Sequence, residues 1–261
     1  MNDADRERLD VARSLLDAAE RVLVLTGAGI STESGIPDFR GPQGVWTKNP
    51  AAEKLATLEH YVADPEVRKR AWRSRLESKA FTALPNAGHH AIVELERSGK
   101  LLALITQNID GLHQKAGTAP ERVIEIHGTI HEVVCLDCGE RAPMARALER
   151  VRAGEVDPAC RSCGGMLKSA TISFGQSLVV ADLKRSEQAA KSCDLLLAVG
   201  STLSVYPIAA VVPLAKRLGA KVVIVNGEPT AMDELADVVL RGNIGELLPP
   251  LLASHRGSML H

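Results

Sequence analysis

The chain has 261 residues, a formal net charge of −1, 45% hydrophobic residues and only 3% aromatic ones. Balanced charge gives no electrostatic case for nucleic acid or a membrane surface as the main ligand, and no apolar run approaches the length that spans a bilayer. The charged start Asp3-Ala4-Asp5-Arg6-Glu7-Arg8 lacks the apolar stretch of a secretory signal, so the expectation is a soluble, cytoplasmic protein.

Residues 4–20 place Leu9, Ala12, Leu15, Leu16 and Ala19 at helical spacing. Arg21-Val22-Leu23-Val24-Leu25 reads as a strand running into Thr26-Gly27-Ala28-Gly29-Ile30-Ser31-Thr32. Gly27 and Gly29 can adopt angles closed to other residues and let a ligand approach the main chain. Ser31 or Thr32 is expected to cap a short helix whose N–H groups would favour a phosphate. This is the recipe for gripping a dinucleotide pyrophosphate. Pro37-Asp38-Phe39-Arg40 then sets a kink, an acid, an aromatic and a base in succession. Residues 41–75 turn polar and helical, broken by Gly41, Pro42, Gly44 and Pro50.

A helix from Pro85 through Ala91, Ile92 and Leu95 leads to a buried strand over 101–106. Another strand, 123–126, ends at His127-Gly128. Residues 129–170 carry cysteines, charges and little periodicity. The pattern then predicts a helix over 181–192, strand 195–199, helix 207–218, strands 222–225 and 238–240, and a closing helix over 244–252. Alternating helices and uninterrupted apolar strands imply an α/β fold with a Rossmann-type parallel sheet covered on both faces. Residues 1–40, 76–128 and 171–261 are assigned to it. Residues 41–75 form a cofactor loop and helical module, and 129–170 a metal-binding module. The two are excursions that make a smaller lobe.

Five strands end in small or polar residues: Thr26-Gly27, Thr106-Gln107-Asn108, His127-Gly128, Gly200-Ser201-Thr202 and Asn226-Gly227. Ligands of open α/β sheets bind at that edge, so these ends are read as one site. Asn108 and Asp110 are turn formers that can also ring a bound ribose with donors and acceptors. His127 is a candidate base, with His113 and His131 as competitors. A dinucleotide dehydrogenase would place an acid about 20 residues past its glycine turn. Here that distance falls on Asn49 and Pro50, so Asn226 is the better ribose partner and hydride transfer is disfavoured. Cys135-Leu136-Asp137-Cys138 and Cys160-Arg161-Ser162-Cys163 are two knuckles that together complete a closed, structural Cys₄ zinc site. Cys193 stands apart as a small buried residue.

These motifs, with Phe174-Gly175, Gly200-Ser201-Thr202-Leu203-Ser204-Val205-Tyr206-Pro207 and Val225-Asn226-Gly227-Glu228-Pro229-Thr230, resemble the sirtuin family in its own order over about residues 20–245. The resemblance implies a bacterial-type protein that consumes NAD⁺ to remove acyl groups from lysine side chains of proteins. The products would be nicotinamide and O-acyl-ADP-ribose. It implies His127 as general base, Asn108 and Asp110 holding the nicotinamide ribose, and Phe39 covering the nicotinamide pocket. Gly27, Ala28, Gly29, Asp38, Arg40, Gln107, Ile109, Gly200, Ser201, Thr202, Asn226, Gly227, Glu228 and Ile244 would complete the cofactor contacts. Ile172, Phe174, Gly175 and Val205 would meet the substrate peptide, which pairs as an added strand. Two departures stand out. Gln176 replaces the family's usual acid and Ser173 a bulky residue, which bears on peptide preference. Trp72-Arg73-Ser74-Arg75 replaces a Tyr-x-x-Arg pair that marks acidic acyl groups, and it also reads as an exposed basic helix face around a packed Trp. The expectation is acetyl or another uncharged acyl group. A mono-ADP-ribosyltransferase using the same site, and a non-catalytic NAD-sensing or zinc-ribbon binding module, are the competing readings.

Overall fold

The computed structural model describes residues 3–39, 41, 44–49 and 56–253. Helix α1 (Asp3–Ala18) turns Leu9, Ala12 and Leu16 inward and leads to β1 (Val22–Thr26), followed at once by a 3-10 turn, Ala28–Ser34. Helices α2 (Val45–Lys48), α3 (Leu58–Ala63), α4 (Pro65–Leu76) and α5 (Ala87–Arg97) come next. Then follow β2 (Leu101–Thr106), α6 (Leu112–Ala116) and β3 (Val123–Glu125). An excursion carries β4 (Gly128–Cys135), β5 (Arg141–Pro143), α7 (Met144–Arg152) and β6 (Leu167–Thr171). The chain returns through α8 (Val180–Ser192), β7 (Leu195–Val199), α9 (Val211–Arg217), β8 (Lys221–Asn226), β9 (Val238–Arg241) and α10 (Ile244–Leu252). The helix expected over 207–218 begins instead as a 3-10 turn, Ile208–Ala210. Pro42 and Pro50 lie outside the described residues. No helix among the described residues is long and apolar enough to cross a membrane.

The six main strands are parallel in the order β3-β2-β1-β7-β8-β9. Strand order reverses between β1 and β7, and at such a point a crevice opens beyond the carboxyl ends of the strands. Side chains alternate between two cores. Val22 and Val24 pack with α1, α5 and α10, whereas Leu23 and Leu25 pack with α8 and α9. Cover on both faces is why these strands read as unbroken apolar runs.

The excursion folds into a second, antiparallel sheet in the order β5-β4-β6. Its strands escaped the sequence pattern for a physical reason. On β6 the buried positions include Lys168 and Ser169, so burial there does not follow hydrophobicity. Trp72 of α4 is fully buried against Val133, Cys135, Met144, Leu148 and Leu167. Tyr61 of α3 donates to the Leu167 carbonyl at 2.7 Å, and Arg68 meets Asp157 at 2.8 Å. The two segments that looked irregular in sequence therefore share one core. Around Trp72 the exposed basic face extends to Arg73 but not to Arg75. Its guanidinium lies over the Trp72 ring, 5.5 Å from the centroid, and donates to Ser169 Oγ at 2.7 Å.

Trp72→Ala removes the largest side chain of this core and is expected to cost about 3–5 kcal/mol of stability. Urea denaturation measures it. A loss below about 0.5 kcal/mol, the scale of a surface change, would contradict a shared core.

Candidate active site at the sheet edge

The crevice is built by two loops, one after β1 and one after β7. Gly27 N donates to the Val199 carbonyl at 3.0 Å, and Gly29 N to the Gly200 carbonyl at 2.8 Å. Gly27 has φ −127 and ψ −173, which any residue adopts. The expectation that unusual angles require glycine there is corrected by what surrounds it. A Cβ on Gly27 would lie 2.7 Å from the Gly200 oxygen, and one on Gly29 2.8 Å from the Gly200 Cα. Gly200 is left-handed (φ 63), and a Cβ on it would lie 2.5 Å from the Ile30 nitrogen. These glycines let two backbones touch each other, before any ligand is considered.

The capping role expected of Ser31 or Thr32 is also corrected. Both lie inside the 3-10 turn, whose N-cap is Gly27, without a side-chain cap. Thr32 Oγ1 turns back to the Gly29 carbonyl at 2.9 Å. Ser31 is buried and donates to Asp110 Oδ2 at 2.7 Å, while accepting from Asn108 Nδ2 at 3.1 Å. Asn108 Nδ2 also reaches the Gly27 carbonyl at 3.1 Å, and Asp110 Oδ1 accepts from Leu112 N at 3.0 Å. Across the crevice Gln107 Nε2 donates to Ser201 Oγ at 2.8 Å. Ser201 Oγ accepts from Leu203 N, and Leu203 holds a left-handed backbone (φ 54) that costs a non-glycine residue about 1–3 kcal/mol. Its buried side chain holds it there. Ser31 thus joins Asn108 to Asp110, a link that sequence reading missed. The available signal was a serine inside the glycine turn.

The other candidates are placed as follows. Ala28 starts the 3-10 turn, and the Ile109 carbonyl accepts from Ile130 N at 3.0 Å. Asn226 ends β8 and is buried, with Nδ2 on the Glu228 carbonyl at 2.7 Å, while Gly227 and Glu228 are exposed. Thr202 Oγ1 pairs with Ser204 Oγ at 2.8 Å. Ile244 opens α10 with its side chain in the core, so only its backbone can face a ligand. Asp38 Oδ1 accepts from Gly41 N at 3.1 Å. Phe39 is 42% exposed and its ring lies 4.7 Å from Trp46, which lies 5.5 Å from Phe174. Arg40 lies outside the described residues.

His127 follows β3, and its Nδ1 sits 3.0 Å from the Gln107 carbonyl. A carbonyl only accepts, so Nδ1 carries the proton and Nε2 is the basic nitrogen. Burial lowers its pKa below 6.5, partly offset by the bond to Gln107, so the ring is neutral near pH 7. The competitors are committed elsewhere. His131 Nε2 donates to the Asp110 carbonyl at 2.7 Å, and His113 is enclosed against Thr26. The His127 carbonyl accepts from Ile172 N at 2.7 Å, which fastens this histidine to the segment holding Phe174 and Gly175. Phe174 N and O are bound to Ala56 and Leu58. Gln176 Oε1 accepts from Ser173 N at 3.2 Å, a bond a carboxylate could also accept, so Gln176 keeps the turn and removes its charge. Val205 stands half-buried on the β7 loop. In the smaller lobe the four sulfurs of Cys135, Cys138, Cys160 and Cys163 lie within 4.8 Å of one another. Cys193 is buried, as expected.

The sequence pattern of the Sir2 family matches residues 27–207. The chain belongs to the Sir2 family. It is 51% identical to NAD-dependent protein deacetylase 2 of Streptomyces coelicolor over 231 residues, 88% of this chain and 96% of that protein. It is 42% identical to NAD-dependent protein deacylase 2 of Archaeoglobus fulgidus, over 92% of this chain and 93% of that protein. A solved Sir2 structure with a deacetylated p53 peptide and 3′-O-acetyl-ADP-ribose is similar at a TM-score of 0.85 and 32% identity, covering 95% of this chain and 96% of that one.

In this Sir2 protein, Ser31→Ala strips a partner from both Asn108 and Asp110. The expected loss is about 1–3 kcal/mol, the cost of an unmatched buried group, read by denaturant titration. Unchanged stability would mean that Ser31 is not the joint between them.

Proposed function

We propose that this Sir2 protein is an NAD-dependent protein-lysine deacylase that releases nicotinamide and O-acyl-ADP-ribose. One observation carries the reading: a histidine with its basic nitrogen fixed at Nε2 follows a strand at the same sheet edge as the Asn108–Ser31–Asp110 network. The crevice suits a dinucleotide, because nearly buried Asn108 and Ser201 bring polar side chains to the switch point where the two loops touch, and Asn226 lies at the same edge one strand further on. When bound, NAD⁺ supplies an electrophilic ribose carbon to the oxygen of an acylated lysine. Asn108 and Asp110 hold the nicotinamide ribose and amide in place. Gly27, Ala28, Gly29, Gly200, Ser201 and Thr202 line the cofactor crevice and Asn226 meets the second ribose, with Asp38, Gln107, Ile109, Gly227, Glu228 and Ile244 as further contacts. Phe39, backed by Trp46, covers the nicotinamide pocket. His127 Nε2 accepts a ribose hydroxyl proton, work for which a pKa near ambient pH is best suited.

The peptide docks along Ile172, Phe174 and Gly175 opposite Val205. Arg75 is held on Trp72 and Ser169, which supports acetyl or another uncharged acyl group as the substrate. The cysteine cluster fits one structural zinc ion. Tetrahedral zinc–thiolate bonds place sulfurs roughly 3.8 Å apart, and the Cys135–Cys163 and Cys138–Cys160 separations are 3.5 and 3.8 Å. Four thiolates leave no open position for chemistry. We place the protein in the cytoplasm, where thiols stay reduced.

Mass spectrometry of an acetyl-lysine peptide with and without NAD⁺ tests the reading. NAD⁺-dependent loss of acetyl should appear with O-acetyl-ADP-ribose, and His127→Ala should slow it by about 10²–10⁴-fold. Because the His127 pKa is lowered, the rate should rise with pH through a midpoint below 6.5 and be flat above it. Untouched acetyl-lysine with ADP-ribose appearing on protein would overturn the reading in favour of a mono-ADP-ribosyltransferase.

A further inference from the structure

Two histidines unused by this chemistry lie side by side in the interior. His89 of α5 and His113 of α6 are 0% and 1% exposed, with ring centroids 4.9 Å apart. Each ring has one nitrogen with a partner and one enclosed nitrogen without: Nε2 of His89 and Nδ1 of His113. The partners fix the protons. The Asn86 amide donates to His89 Nδ1 at 3.3 Å, so the proton of the neutral ring sits on Nε2. Thr26 Oγ1 gives its single proton to Thr106 Oγ1 at 2.9 Å, so it accepts from His113 Nε2 at 3.0 Å. That leaves His113 Nδ1 bare. The two unmatched atoms are thus one donor and one acceptor, on neighbouring rings.

Both ends of this series reach the active site. Asn86 Nδ2 donates to the Ile30 carbonyl at 2.7 Å and to Ser34 Oγ at 3.0 Å, gripping the 3-10 turn that carries Ser31. Thr106 Oγ1 accepts from the Asn108 amide at 3.1 Å. Both rings are neutral. Burial lowers the His89 pKa to about 4, with Asp110 opposing and His90 assisting, and burial and His89 hold His113 well below 6.5.

We propose that His89 Nε2–H pairs with His113 Nδ1, directly or through one buried water, and closes a hydrogen-bond chain that runs in one direction from Asn86 to Thr106, whose Oγ1 also accepts from the Asn108 amide. His89 and His113 are then positioning residues. They set the Asn108–Asp110 loop against the turn bearing Ser31, and protonating either ring would put two donors face to face.

The proposal rests on the deacylase reading for its kinetic test alone. Nitrogen-15 NMR of histidine-labelled wild-type protein reads the tautomers directly. Both rings should show a protonated Nε2 and a bare Nδ1, and stay neutral at about pH 6. A protonated Nδ1 on His113, or a charged ring at that pH, would overturn the pairing. For the kinetics, His113→Phe should lower kcat by about ten- to a hundredfold, the scale of a small misplacement, with the peptide KM little changed. His113→Gln, which keeps a donor for Thr26, should recover most of that loss. A His113→Phe protein that melts earlier but turns over at the wild-type rate would reduce the pair to a structural contact. Should the wild type lack deacylase activity, that reading fails, and the NMR result still decides the pairing.

Discussion

The structure depends on the contact between two backbones where strand order reverses. Gly27 and Gly29 meet Gly200 so closely that none of the three has room for a Cβ. The amide of Gly29 and the carbonyl of Gly200 spend their hydrogen bond on each other. This contact holds the β1 and β7 loops at one separation. Ser31, three residues from Ala28, is thereby lodged beneath Asn108 and Asp110, and Ser201 is brought to Gln107. Polar groups that would be costly to bury singly are matched as a set.

His127 joins this crevice to the smaller lobe. It lies between the last residue of β3 and the first of β4, so the proposed base stands where the chain leaves one sheet for the other. Its ring is anchored to the Gln107 carbonyl on the parallel sheet. Its own carbonyl is anchored to Ile172, just past β6. An imidazole held from both sides keeps its orientation and its tautomer. The lobe in turn is kept whole by Trp72 and by the cysteine cluster, which draw two distant stretches of chain into one core.

Much of this was legible in the residues. The strands over 101–106 and 195–199 read correctly because burial on both faces leaves only apolar side chains to see. The paired cysteine knuckles, and the polar strand ends that converge on one edge, read correctly because their chemistry is local. What failed to read was relational. Lys168 and Ser169 are buried where β6 pairs with β4 and Arg75 of α4 reaches Ser169, so no periodicity announces that strand. The need for Gly27 comes from Gly200, more than 170 residues away. Ser31 looked like a helix cap because its partners, Asn108 and Asp110, are far off in sequence. Arg75 looked solvent-facing because Ser169 cannot be seen from α4.

The loop contact is tested most directly by calorimetric titration of NAD⁺ into Gly29→Ala protein, with near-ultraviolet circular dichroism reporting on the environment of Trp72. The account predicts NAD⁺ binding weakened by about tenfold or more, roughly 1.4 kcal/mol, with the signal of the smaller lobe retained. Affinity within about twofold of wild type would show that the two backbones need not touch for the site to form, and would contradict it.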